Sequence, residues 1–217
     1  MNQPLAPGLY IVATPIGNLG DVTTRAAETL CRVDRILAED KRVTAKLLAH
    51  LGATAPMTAY HDHSDDDLRQ RILAEASIKA IALVSDAGTP LISDPGYKLV
   101  RAARASGIAI HTLPGPCAAI AALTLAGLPT DRFLFMGFLS AKAKARGEAI
   151  TEVATLRASL VLYESGPRLG GIMKQAVAAR LRAQHQREGR ITGDADRFEG
   201  VHLDGDCQAH RASRLGD

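Results

Sequence analysis

The 217-residue sequence has no tryptophan and only four phenylalanines and four tyrosines. Alanine, leucine, isoleucine and valine must therefore fill the core, and few aromatic faces are available for stacking. Cysteine is equally scarce: Cys31, Cys117 and Cys207 are far apart, odd in number and without the spacing of metal ligands. We expect free thiols in a reducing compartment and no metal site.

Long apolar runs are also missing. The longest stretch of small apolar residues, 118–128, is well short of the ~20 residues that span a bilayer. The opening Met1-Asn2-Gln3-Pro4 does not read as a secretory signal, so we expect a cytoplasmic protein without a membrane partner. The net charge of +3 permits an RNA or phosphate partner but does not require one.

Residues 82–96 form the most informative segment, in which an apolar strand runs directly into a loop of small, turn-forming and acidic residues. Gly88 and Gly96 allow a ligand to approach the main chain, and Pro90 and Pro95 stiffen the loop. Open α/β sheets bind ligands at loops of this kind, at the carboxyl ends of strands. The segment predicts small-molecule binding; the alternative is a loop that only turns the chain.

Strand and helix patterns alternate five times in the first part of the chain, which predicts a mostly parallel α/β sheet wrapped by helices. The predicted strands cover residues 9–13, 35–38, 57–60, 81–84 and 108–113. Helices are predicted after each strand, including one from Thr44 to His50.

Linker composition near residues 127–132 predicts a boundary, with an N-terminal α/β domain over residues 1–127. The start of a second α/β domain follows over 128–175, with strands at 133–138 and 159–163 and a last helix towards Gln175. Residues 176–217 are atypical, since about seven of these 42 are Leu, Ile, Val or Phe. They are interpreted either as a disordered tail or, preferably, as a non-native ending such as one read in another frame.

The motifs together resemble the tetrapyrrole methylase superfamily of S-adenosylmethionine-dependent enzymes. Within it, the chain is most similar to the bacterial small-subunit rRNA cytidine 2′-O-methyltransferases. The segments that carry the resemblance are 13–19, 38–40, 84–96, 113–116, 127–133, 137–139 and 163–165. The chain departs from the family pattern at Lys41, Cys117, Ser140 and 166–168, and after about residue 175 the family's closing strands are not matched.

The resemblance implies two α/β domains that clasp S-adenosylmethionine between them, the second one incomplete here. It also implies a homodimer that acts on a cytidine in the decoding region of 16S rRNA, within the small ribosomal subunit. The residues implied to bind the methyl donor are Pro15, Asp86, Ala87, Gly88, Thr89, Pro90, Cys117, Ala118, Tyr163 and Glu164. Asp86 could instead hold its own loop as an Asx turn.

Three residues are candidates for the catalytic step. Asn18 ends the proline-containing first loop, which by resemblance faces the reacting methyl group and the acceptor. Glu39 and Asp40 end a strand of the parallel sheet, where an acidic pair can face the site. Asp40 could equally be a helix N-cap.

A basic set in the second domain predicts contacts with RNA phosphates and hence salt-dependent binding. It consists of Arg132, Lys142, Lys144, Arg146 and Arg168. On charge alone, the same residues could form a solvated helix face.

Two other functions remain open at this point. One is C-methylation of a tetrapyrrole precursor, although relatives of that kind usually begin with a Gly-x-Gly-Pro-Gly-Asp loop where this chain has residues 14–18. The other is a catalytically impaired, truncated homologue.

Overall fold

The computed structural model describes residues 4–61 and 64–188, with side chains as far as residue 182. The chain divides between Leu128 and Pro129 into two compact units, called the N-terminal and C-terminal units below. Within the described part of the chain, no helix combines the length and apolar character needed to cross a bilayer.

The N-terminal unit is built on a five-stranded sheet in the order β3-β2-β4-β1-β5. All its paired strands are parallel, which confirms the predicted sheet. The strands are β1 (Gly8–Val12), β2 (Arg35–Ala38), β3 (Met57–Ala59), β4 (Ala80–Val84) and β5 (Ile110–Leu113). Because they run in the same direction, their carboxyl ends and the loops that follow meet at one edge of the sheet, the carboxyl edge.

Helices cover both faces of this sheet. They are α1 (Thr24–Leu30), α2 (Lys41–Leu51), α3 (Asp66–Ala76), α4 (Tyr97–Ala105) and α5 (Ala118–Leu125), with a short 3-10 helix at Leu19–Asp21. Alternate strand residues enter two different clusters: Tyr10 and Val12 pack with Leu30 of α1, whereas Leu9 packs with Leu99 of α4. β1 and β4 are buried along their whole length, which explains their continuous apolar sequences.

Local caps set the helix boundaries. The Thr23 hydroxyl accepts a hydrogen bond from Ala26 N–H and so begins α1 where the sequence predicts it. α2 begins at Lys41 instead of at the predicted Thr44, because Asp40 caps it. Gly52, in the left-handed conformation at φ +67°, ends α2 as predicted.

The C-terminal unit contains two parallel strands and two helices: β6 (Phe133–Phe138), α6 (Ala143–Val153), β7 (Ser159–Tyr163) and α7 (Gly166–Glu188). Its small core joins Leu139 to Ile150 of α6 and Ala179 of α7. α7 runs well beyond the predicted end near Gln175, because its apolar face continues through Ala179 onto that core. The predictions for residues 189–217, including Cys207, lie outside the described residues.

Candidate active site

Two central loops of the carboxyl edge are hydrogen-bonded to each other. Thr14, after β1, donates its N–H to the Gly88 carbonyl at 2.8 Å, and Gly88 N–H donates to the Thr14 carbonyl at 3.1 Å. The buried Thr14 hydroxyl also donates to the Ser85 carbonyl at 3.2 Å. This pair of loops is therefore held in place by the protein's own main chain.

The loop after β5 joins them through Thr89, whose hydroxyl donates to the Pro116 carbonyl at 3.0 Å. Gly88 lies where the three loops meet, at φ +84°. A Cβ there would lie 3.3 Å from Ile16 Cγ2 and 3.6 Å from the Pro116 carbonyl oxygen, so a side chain would be both strained and crowded. The backbone conformation and the close neighbours both favour a glycine at this junction.

The predicted donor-binding residues of the N-terminal unit lie on these three loops or, for Ala118, at the first position of α5. They are Pro15, Asp86, Ala87, Gly88, Thr89, Pro90, Cys117 and Ala118. The Asp86 carboxylate accepts the Asp40 N–H at 3.0 Å, so it binds the neighbouring loop after β2. The hydrogen bonds between these loops were not predicted from the sequence, because Thr14 and Gly88 are far apart in the chain.

Two further residues of the loop after β4 have an unusual backbone. Leu91 and Ser93 adopt φ values of +73° and +62°, in the left-handed region that residues other than glycine, asparagine and aspartate rarely occupy. Nothing in the sequence predicts this, since neither residue type favours the conformation. Strained residues of this kind cluster at ligand-binding sites.

Three carboxyl groups influence one another at the carboxyl edge. Burial raises the pKa of Glu39, and the charges of Asp86 and Asp94 raise it further, while His61 opposes them. Burial likewise raises the pKa of Asp94, although a hydrogen bond with Ser85 counteracts the shift. The edge therefore carries concentrated negative charge that favours a cation. Within residues 4–61 and 64–188, no group of three or more His, Cys, Asp or Glu side chains is arranged to hold a metal.

Two of the three catalytic candidates cap helices. Asp40 accepts the Arg42 N–H at 2.8 Å and the Arg42 guanidinium at 2.7 Å, and these bonds lower the pKa of its carboxyl to about 2. Asn18 Oδ1 accepts the Gly20 N–H at 2.9 Å and caps the 3-10 helix. Glu39 differs from Asp40 in the raised pKa of its carboxyl.

In the C-terminal unit, Tyr163 ends β7 and packs edge-to-face on Phe135 and Phe138, with ring centroids 4.8 and 5.6 Å apart. The neighbouring Glu164 side chain is only 4% exposed and forms an ion pair with Arg168 at 3.0 Å. Its negative charge is therefore balanced within this unit. That Tyr163 and Glu164 contact the methyl donor stays a prediction.

The predicted RNA-contacting residues form two groups. Arg146 binds the Gln175 side chain at 2.6 Å and the Ala141 carbonyl at 3.2 Å, and Arg168 binds the Leu139 carbonyl at 2.9 Å. These two arginines brace the loop between β6 and α6. The residues of the other group are all exposed to solvent: Arg132, Lys142 and Lys144.

A parallel α/β sheet with acidic, backbone-lined loops at its carboxyl edge is the architecture at which open α/β proteins bind small ligands. The family model for Tetrapyrrole (Corrin/Porphyrin) Methylases matches residues 8–190, and the chain belongs to this family. A solved structure with the same fold is uroporphyrin-III-C-methyltransferase from Thermus thermophilus. It has a TM-score of 0.56 and 22% identity, over 81% of this chain and 74% of that chain.

Curated relatives from several bacteria carry the name Ribosomal RNA small subunit methyltransferase I. The protein from Erythrobacter litoralis is 62% identical over 167 residues, which cover 77% of this chain and 59% of the relative. The protein from Escherichia coli O157:H7 is 53% identical over 171 residues, which cover 78% and 60%. The match thus spans about 60% of the length of these relatives.

Proposed function

We propose that this chain is an S-adenosylmethionine-dependent methyltransferase that methylates the ribose 2′-oxygen of a cytidine in the decoding region of 16S rRNA. The observation that carries the proposal is the Thr14–Gly88 bridge, which builds a rigid main-chain surface beside three carboxyl groups. The 62% identity to a curated rRNA methyltransferase supports the choice of RNA as the acceptor.

The residues of the N-terminal unit suit this donor. When bound, S-adenosylmethionine supplies an electrophilic methyl group on a positively charged sulfur. Glu39, Asp86 and Asp94 provide the negative charge that attracts a cation. The loops joined by the Thr14–Gly88 hydrogen bonds expose peptide groups to the polar atoms of the donor, because Gly88 has no Cβ that would cover them. Tyr163 and Glu164 would add contacts from the C-terminal unit.

Glu39 is the proposed general base. A carboxylate with a raised pKa accepts a proton from a hydroxyl more readily than one whose pKa is about 2, as in Asp40. Asp40 then serves to begin α2, and Asn18 shapes the loop beside the acceptor. Alignment of the reacting groups on fixed loops can lower the barrier by ~7–11 kcal/mol, so no nucleophilic side chain is required.

The proposal also includes the RNA contacts, the oligomeric state and the cellular location. Arg132, Lys142 and Lys144 are the exposed cations that would contact rRNA phosphates in the small ribosomal subunit. We further propose a cytoplasmic homodimer, which the exposed apolar side chains Ile120 and Leu125 of α5 support.

The test is methylation of small ribosomal subunits from a strain that lacks this modification, with the full chain and methyl-labelled S-adenosylmethionine. The expected result is label on one cytidine ribose of 16S rRNA. Label only in a tetrapyrrole precursor would support C-methylation instead. Absence of donor binding in calorimetry would support an impaired homologue.

A further inference from the structure

A small cavity opens between the loop after β1 and helix α2. It measures about 150 Å³ and lies beside the predicted donor loops, sharing Pro15 and Asp86 with them. Pockets for drug-sized ligands measure roughly 300–1,000 Å³, so this one has room for a single ring and not for a whole S-adenosylmethionine. We call it the α2 cavity.

The α2 cavity combines an apolar wall with a few polar groups. Its apolar wall includes Pro15, Leu19 and Leu47. Its polar residues include Thr44, Lys46 and Asp86, together with Thr14 and Ser85. Apolar walls with a few polar atoms suit a heteroaromatic ring that makes directed hydrogen bonds at its edge.

Thr44 has an unexplained hydroxyl. The residue is 4% exposed, and its Oγ1 is buried without a hydrogen-bond partner among the described residues. In a helix, a threonine hydroxyl can bond a carbonyl of the preceding turn, and the Thr44 hydroxyl makes no such bond. Buried hydroxyls nearly always have partners, so a group bound in the adjoining cavity is a candidate partner for Thr44 Oγ1.

We propose that the α2 cavity holds the base of the acceptor nucleotide, a pyrimidine turned out of the RNA, and that Thr44 hydrogen-bonds its edge. The inference rests on the proposed function and names the part of the substrate that this site selects. Enzymes that modify RNA act on splayed, unpaired nucleotides, and this cavity adjoins the loop at Pro15 that is predicted to face the acceptor.

The polar groups favour cytosine over uracil. The Asp86 carboxylate can accept a hydrogen bond from the exocyclic amino group of cytosine, whereas it would repel the O4 carbonyl of uracil. The Lys46 ammonium and the Thr44 hydroxyl can donate to the ring nitrogen and carbonyl. A phosphate is a poor occupant, because Asp86 would repel it.

The first test replaces Thr44 by valine, with Thr44→Ser as the matched control that keeps the hydroxyl. Thr44→Val should raise KM for small ribosomal subunits about 10-fold, the loss of roughly one hydrogen bond. The Kd for S-adenosylmethionine should not rise and the melting temperature should not fall. Thr44→Ser should behave like the wild type. The preference for cytidine over uridine at the acceptor position should fall in Thr44→Val alone.

The second test does not need catalysis. Titration of the chain with cytidine should shift the backbone amide NMR signals of Val43 and Thr44 more than titration with uridine does. Val43→Trp, which fills the cavity, should abolish these shifts. Ile78→Trp is its control, since Ile78 is 72% exposed in the turn before β4, at the other edge of the sheet.

The outcomes separate the two proposals. Cytidine shifts that vanish in Val43→Trp support the cavity assignment even if no RNA is methylated. RNA methylation that is unchanged in both Thr44→Val and Val43→Trp overturns the assignment and leaves the proposed function standing. Weaker donor binding in Thr44→Val, with unchanged KM for RNA, would assign the cavity to the donor and also overturn it.

Discussion

Glu39 and Asp40 are neighbours in the sequence but lie in opposite electrostatic environments. Glu39 is half-buried and faces the charges of Asp86 and Asp94, which oppose its ionisation. Asp40 is held ionised by two kinds of bond from Arg42. The carboxyl pKa values therefore move in opposite directions: Asp40 caps α2, and Glu39 is the proposed general base.

Glu39→Gln should lower kcat by about 10²-fold or more, as expected for loss of a general base. It should also raise the melting temperature at pH 7. A carboxyl whose pKa is raised by folding is penalised once the pH exceeds that pKa, so removing its ionisation stabilises the folded state there. Below the unfolded pKa the stability difference should vanish, which thermal melts across pH can check.

Asp40→Asn is the control for this prediction, because asparagine caps helices as well as aspartate does. It should keep kcat close to the wild-type value. A large loss of kcat in Asp40→Asn, with an active Glu39→Gln, would reverse the assignment of the base.

Donor binding should weaken as the pH falls towards the raised pKa values of Glu39 and Asp94. A bound cation favours the ionised carboxylates, so binding in that range should release protons. Calorimetry of S-adenosylmethionine binding in two buffers of different ionisation enthalpy measures this release. The Glu39→Gln/Asp94→Asn double variant should show none, and an equal release in both proteins would contradict the prediction.

At the scale of elements, helix α4 has a glycine at each end. Gly96, at φ +129°, precedes it, and a Cβ there would lie 2.6 Å from Leu83 Cδ2 in the core. Gly107, at φ +68°, follows it with open space around it. The two positions share backbone strain but differ in crowding.

Gly96→Ala should therefore lower the free energy of unfolding by about 2 kcal/mol or more, from strain and overpacking together. Gly107→Ala should cost about 1 kcal/mol from backbone strain alone. Urea unfolding of both variants measures the difference. Equal losses would show that Leu83 moves aside without cost.

The elements that sequence patterns predict well are those whose signals are local. β1, β2 and β4 are apolar runs that end in turn residues, and Thr23 and Gly52 are ordinary helix caps. The extent of α7 was underestimated, because its buried face past Gln175 consists of alanines such as Ala179, which give a weak periodic signal.

The site was predictable only in part. The loops were recognisable from their glycines and prolines, but the Thr14–Gly88 bridge joins distant segments and leaves no local pattern. Composition could not separate Arg146 and Arg168, which bind carbonyls, from the exposed Lys142 and Lys144. That distinction depends on which main-chain oxygens lie within reach, which is a property of the folded chain.

At the scale of the whole molecule, the exposed cations should control the salt dependence of RNA binding. Lys142→Gln/Lys144→Gln should reduce the slope of log affinity against log salt by about 1.4 to 1.8, since each neutralised phosphate contributes ~0.7–0.9. The melting temperature should stay unchanged. Filter binding to small subunits at several salt concentrations measures the slope.

Arg146→Gln is the comparison for that double variant. It should lower the melting temperature, because the loop between β6 and α6 loses the bonds at Ala141 and Gln175. Its effect on the salt slope should be smaller than that of either lysine. A larger effect would place Arg146 in the RNA interface.

The strand order also bears on how the protein is made. β1 leaves the ribosome well before its partners β4 and β5, which follow only from residue 80 onwards. Synthesis of the intervening roughly 70 residues takes about 4 to 14 s at ordinary translation rates. During that time the nascent chain presents an unpaired, fully apolar strand, so its yield in cells should depend on chaperones that shield it until β4 emerges.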